Sequence, residues 1–100
     1  MHRNSPSVLP PEGGRASVTV ETVVVREPGR IAHEEPFRVR WEDGRRWEIE
    51  RIYGHEVVGT EDGCDIVRWR VLIGGAPKYI YDGPMGWFVV PKAPPRRRIV

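Results

Sequence analysis

One hundred residues carry 16 basic and 14 acidic side chains, a net charge of +2 and one cysteine. That is one domain's length of chain, and it excludes an intrachain disulfide. No apolar stretch approaches a helical membrane span.

Charge divides unevenly along the chain. Residues 92–100 hold Lys92, Arg96, Arg97 and Arg98 and no acid, whereas residues 17–91 hold ten basic and thirteen acidic side chains. The basic character expected of a nucleic-acid binder therefore belongs to the tail, and the body is mildly acidic. Residues 1–16 and 92–100 are rich in Pro, Gly and Ser or in Pro and Arg. They read as disordered ends around a domain at 17–91. Val8-Leu9 runs straight into Pro10-Pro11, which leaves no apolar core for a secretion signal. With a lone cysteine in so small a domain, the expected compartment is the cytoplasm.

From Ser17 onward the chain reads in twos. Ser17 to Val25 is β-branched and predicts a first strand, followed by a loop over 26–36. Phe37, Val39 and Trp41 alternate with Arg38, Arg40 and Glu42, and Trp47 and Ile49 alternate with Glu48 and Glu50. Between them, Glu42-Asp43-Gly44 predicts a three-residue loop with Gly44 left-handed. That register sets Phe37 opposite Ile49 and Val39 opposite Trp47, giving one apolar face. Glu61-Asp62-Gly63, read the same way, sets Val58 opposite Ile66. Val67, Trp69, Val71 and Ile73 predict the next strand. Gly74-Gly75-Ala76 as a three-residue loop sets Val71 opposite Tyr79 and Trp69 opposite Tyr81. A longer loop over 82–86 returns Trp87 opposite Tyr81 and Val89 opposite Tyr79. No window longer than ten residues shows a helical stripe. The expected fold is an all-β antiparallel meander closing into a small SH3-like or similar barrel, with an open meander packed on a partner as the alternative.

Arg46-Trp47-Glu48-Ile49-Glu50-Arg51-Ile52, Val67-Arg68-Trp69-Arg70-Val71, Tyr79-Ile80-Tyr81 and Gly86-Trp87-Phe88-Val89-Val90 together resemble a Trp-rich bacterial domain of unknown function. That domain is similar to segments found alone in actinobacteria or at the C-terminus of polymerase-like DNA-damage proteins. The resemblance spans residues 36–91 and implies no catalytic residues. Fourteen Arg against two Lys would also fit a GC-rich bacterial genome, on composition alone.

Catalytic and metal chemistry find little to build on. One cysteine and no CxxC or HxxxH spacing exclude a thiolate-rich zinc site. His33 with Glu34 and Glu35, and His55 with Glu56, are neighbours whose side chains point to opposite faces of a strand. Cys64 sits in a turn beside Asp65, with no base brought to it. Glu48 and Glu50 face Arg38 and Arg40 across a predicted ladder, as surface ion pairs do. The expectation is a non-enzyme without cofactor or metal.

The remaining pattern is aromatic and arginine-rich. Trp47, Trp69 and Trp87 fall in phase with the core. Phe88, Tyr53 and Ile80 fall out of phase and are expected at the surface. The candidate binding residues are Arg38, Arg40, Tyr53, Arg68, Arg70, Phe88, Arg96, Arg97 and Arg98. They suit a module that binds a protein partner, or alternatively single-stranded nucleic acid through stacked rings and phosphate-gripping arginines.

Overall fold

A computed structural model describes residues 14–91, so the two outermost tails, 1–13 and 92–100, lie outside the described residues. Seven strands follow in chain order: β1 (Ala16–Ser17), β2 (Thr19–Val25), β3 (His33–Arg40), β4 (Arg46–Glu61), β5 (Cys64–Ile73), β6 (Ala76–Gly83) and β7 (Gly86–Val89). They form one antiparallel sheet in the order β1-β7-β6-β5-β4-β3-β2. There is no helix of α type among the described residues, as the period-two pattern predicts.

The sheet curls into a half-barrel because one segment serves both of its ends. Ser17 pairs with Phe88 on β7, and Thr19, two residues on, pairs with Arg40 on β3. The intervening Val18 donates its N–H to the carbonyl of Trp87 at 3.1 Å. Ordered structure thus begins before residue 17. Ala16 lies in β1, and Arg15 is held by both carboxylate oxygens of Glu61, at 2.9 and 2.6 Å.

The inner face holds the larger core. Val39, Val71, Ile73, Ile80 and Val89 are buried together, and Val20, Trp41, Trp47, Ile49, Ile52, Trp69 and Trp87 pack against them half-buried. Trp41 meets Trp47 edge-on at 5.0 Å, and Trp69 lies 6.4 Å from Trp87. A second cluster occupies the opposite face, where Ile66, Tyr81 and Phe88 are buried beside Val58.

The turns decide which residues go where. At the β3–β4 turn the N–H of Gly44 donates to the Trp41 carbonyl, and the N–H of Trp41 donates to the Arg45 carbonyl. Gly44 has φ +93°, and Val39 pairs with Trp47. This is the expected three-residue loop with a left-handed glycine.

The other three turns are shorter than expected, and each moves the register by one residue. Asp62-Gly63 and Gly74-Gly75 are two-residue loops with consecutive positive φ angles, closed by the pairs Glu61↔Cys64 and Ile73↔Ala76. Two left-handed residues in sequence match the right-handed twist of the strands they join. Pro84-Met85 forms the third, closed by Gly83↔Gly86. Trp69 therefore faces Ile80 rather than Tyr81, Val71 faces Lys78 rather than Tyr79, and Trp87 faces Asp82. Val89 pairs with Ala16 instead of Tyr79, and Ile66 with Gly59 instead of Val58.

Three register shifts along β4 adapt the long strand to these turns. They leave Glu50, Tyr53 and Val58 as the extra residues of bulges. The last of them restores Val57 opposite Val67 and frees Val58 to pack on Ile66.

Candidate functional site

The structure corrects two of the surface expectations, Ile80 through the register shift and Phe88 through the second cluster. Ile80 is fully buried in the inner core, and Phe88 is 6% exposed, stacked on Tyr81 at 4.9 Å with the rings nearly parallel. The Arg15 guanidinium covers the remaining side of Phe88 at 4.3 Å. Phe88 is therefore a core ring and not a binding surface. Its place outside the main hydrophobic phase is filled by the second cluster.

Tyr53, Arg68 and Arg70 do come together, on the outer face of β4 and β5. The β4 bulge pushes Tyr53 out of the ladder, and its ring is 43% exposed. Arg70 lies over that ring at 5.9 Å. Two residues away on β5, Arg68 lies over Tyr79 at 4.3 Å and donates to Glu56. Tyr79 is 45% exposed. Gly54, His55, Glu56, Arg68, Arg70 and Tyr79 line a groove of about 170 Å³ between these side chains.

The electrostatics of the patch are mixed. Glu56, and next the Tyr81 hydroxyl, raise the Arg68 guanidinium above its ordinary pKa, against the opposing effect of burial. Among the described residues Arg70 has no carboxylate within 4 Å and keeps its charge available. Two exposed rings, one compensated arginine and one uncompensated arginine thus border a shallow groove. Such a surface stacks on planar groups and accepts one negative charge with a neighbouring positive one.

Arg38 and Arg40 belong to another place. They lie at the β2–β3 side, where Arg38 donates to Glu48 and, at 3.2 Å, to Glu21. Arg40 approaches Glu21 at 3.8 Å. Hydrogen bonding to Glu48, aided by both carboxylate charges, holds Arg38 above its usual pKa, and Arg38 in turn holds Glu48 below the glutamate range. Glu50, expected to join this set, instead accepts from the backbone N–H of Gly75 at 3.2 Å. Arg96, Arg97 and Arg98 lie outside the described residues.

Sequence reasoning missed Tyr79 and Glu56 as members of the patch. The signal for Tyr79 was the Gly74-Gly75 pair, which as a two-residue loop turns Tyr79 outward and Ile80 inward. Glu56 had no such signal, because its side depends on bulges in β4 that no local residue type announces.

The residues considered for catalysis are dispersed. His55 stacks on Trp69 at 4.5 Å, while Cys64 is exposed at the β4–β5 turn. His33 shares a hydrogen bond with Glu35 at 2.8 Å. No group of three or more His, Cys, Asp or Glu side chains is arranged to hold a metal ion among the described residues, and none of their helices is long and apolar enough to cross a membrane. Comparison of the chain with protein-family models, with curated proteins and with solved structures finds no match.

Proposed function

We propose that this chain is a non-enzymatic, cytoplasmic binding module whose outer-face patch of Tyr53, Arg70, Arg68, Tyr79 and Glu56 takes a protein partner. The observation that carries this reading is how the strand arginines are used. Arg38, Arg40 and Arg68, the side chains a nucleic-acid face would turn toward phosphates, are in contact with Glu21, Glu48 and Glu56. Phosphate binding through them would require those contacts to be exchanged one for one, against the acidic balance of the body. A protein surface that brings a carboxylate to Arg70 and leaves the Arg68–Glu56 contact in place requires no such exchange and matches a mixed-charge, ring-bordered groove. The resemblance to a Trp-rich bacterial domain of unknown function, which implies no catalytic residues, is compatible with the same reading.

The test places a photo-crosslinking residue at Tyr53, and separately at Arg30 as a control, in the full chain expressed in a bacterial host. A discrete protein adduct from position 53, lost when Arg70→Ala is added and not formed from position 30, is the expected result. A companion NMR titration with short single-stranded DNA checks the competing class. Salt-sensitive shifts centred on Arg68 and Arg70 in a chain ending at Pro91 would overturn the protein-partner reading in favour of nucleic acid.

A further inference from the structure

Sheet edges carry unpaired N–H and C=O groups, and proteins blunt them with bulges, prolines and charges. Most of the edges here are blunted in this way. The free side of β4 is interrupted by its three bulges. β3 carries Pro36 beside His33, Glu34 and Glu35, and the part of β6 beyond its ladder with β7 carries Pro77 and Lys78.

β2 is different. It ends the strand order and pairs only with β3 among the described residues. Its last four residues, Thr22 to Val25, are all β-branched and uncharged. Val23 and Val24, which alternation places on opposite faces, are each 48% exposed.

We propose that β2 pairs antiparallel with β2 of a second copy, about a two-fold axis through Val23. Facing residues of an antiparallel pair point to the same side, so the axis of a symmetric pair must pass through a residue. Three centres are open. An axis at Thr22 falls beside the register shift between Glu21 and Thr22, where the strand is irregular. An axis at Val24 sets Glu21 against Glu27 of the other copy, like charge on like. An axis at Val23 sets Val23 against itself, Thr22 against Val24 and Glu21 against Val25, with no like charges opposed. The strand is its own complement about that point, which favours a second copy over any foreign strand. Pairing sets Val23 beside its copy and Val24 beside Thr22, and it satisfies the free backbone groups of each edge. This inference is independent of the outer-face patch.

The experiment uses the full chain with Cys64→Ser, to remove the native thiol. Val23→Cys is expected to give a disulfide-linked dimer under mild oxidation, because facing residues place their Cα atoms about 4.5–5.5 Å apart. Val25→Cys is expected to give no disulfide-linked dimer, since its two thiols would be offset by about 14 Å along the strands. In sedimentation equilibrium, Val23→Lys is expected to weaken self-association at least about tenfold by opposing two ammonium groups at the axis. Circular dichroism confirms that each variant is folded. Three results would each overturn the proposal: a wild-type chain that sediments as a monomer at about 1 mM, equal cross-linking at both positions, or a Val23→Lys variant that associates as the wild type does.

Discussion

Ile80 and Tyr79 are adjacent on β6 and live in opposite surroundings. Ile80 is sealed in the inner core, whereas Tyr79 lies half in solvent beneath Arg68. Ile80→Ala should cost about 2–5 kcal/mol in a chemical-denaturation series, from lost burial and the cavity left behind. Tyr79→Ala should cost about 0.5 kcal/mol or less, as surface substitutions do. Reversed values would show that β6 is turned over.

Asp82 makes a second case at the same scale. It sits on the inner face opposite Trp87, and burial, with the charge of Glu34 as a smaller contributor, raises its pKa. A carboxyl whose folded pKa is raised favours folding while protonated and opposes it once ionised. Asp82→Asn should therefore raise the melting temperature at neutral pH. The advantage should fade as pH falls through the aspartate range, and a melting series from pH 7 to pH 3 on both proteins checks it.

At the scale of elements, the turns carry the information. The β3–β4 loop was legible because Gly44 follows two polar residues and because only the three-residue register gives one apolar face. A Cβ built on Gly44 meets nothing within 4 Å, so its cost would be purely conformational. Gly44→Ala should destabilise by about 1–2 kcal/mol, because φ +93° is a conformation alanine adopts only under strain. Gly54, with equally open space and no such φ, should accept alanine with little change. Paired thermal melts decide both.

The remaining turns were misread for a physical reason. Apolar residues lie at consecutive positions in Ile80-Tyr81 and Phe88-Val89, so both registers offer an apolar face. The pattern alone does not choose between them, and the turn geometry does. The sheet then uses both of its faces, one for the Trp-lined core and one for the Ile66, Tyr81 and Phe88 cluster. The patch was legible as far as Tyr53, Arg68 and Arg70, whose side follows from strand alternation near a bulge. Tyr79 followed the misread turn, whereas Phe88 keeps its expected phase, on the face opposite Trp87 and Val89, and is covered there by Ile66, Tyr81 and Arg15.

On the scale of the whole molecule, the half-barrel is fastened at two points by residues from its first segment. The ladder through Ser17 and Thr19 is one. Arg15 is the other, bound to Glu61 at the far tip of β4 and laid over Phe88. Hydrogen bonding to Arg15 lowers the pKa of Glu61. A carboxylate with a lowered folded pKa contributes stability above its unfolded range and loses it as pH falls through the folded value. Glu61→Gln should thus lower the melting temperature at neutral pH. The difference from wild type should close below the ordinary glutamate range, as followed by circular dichroism.

The same closure has a consequence for synthesis. Ala16 leaves the ribosome early, and its partner Val89 is among the last described residues to follow. β1 therefore waits, through nearly the whole translation of the domain, for the strand it must meet. Hairpins between neighbouring strands close over short loops as they are made, whereas the ladder of β1 on β7 closes a loop over almost all of the described residues. A nascent chain stalled with Gly86 just outside the ribosomal tunnel and Trp87 still within it should hold β3 to β6 paired while Ala16 and Ser17 remain open to proteases. Protection of that segment should arrive only when Val89 has cleared the tunnel.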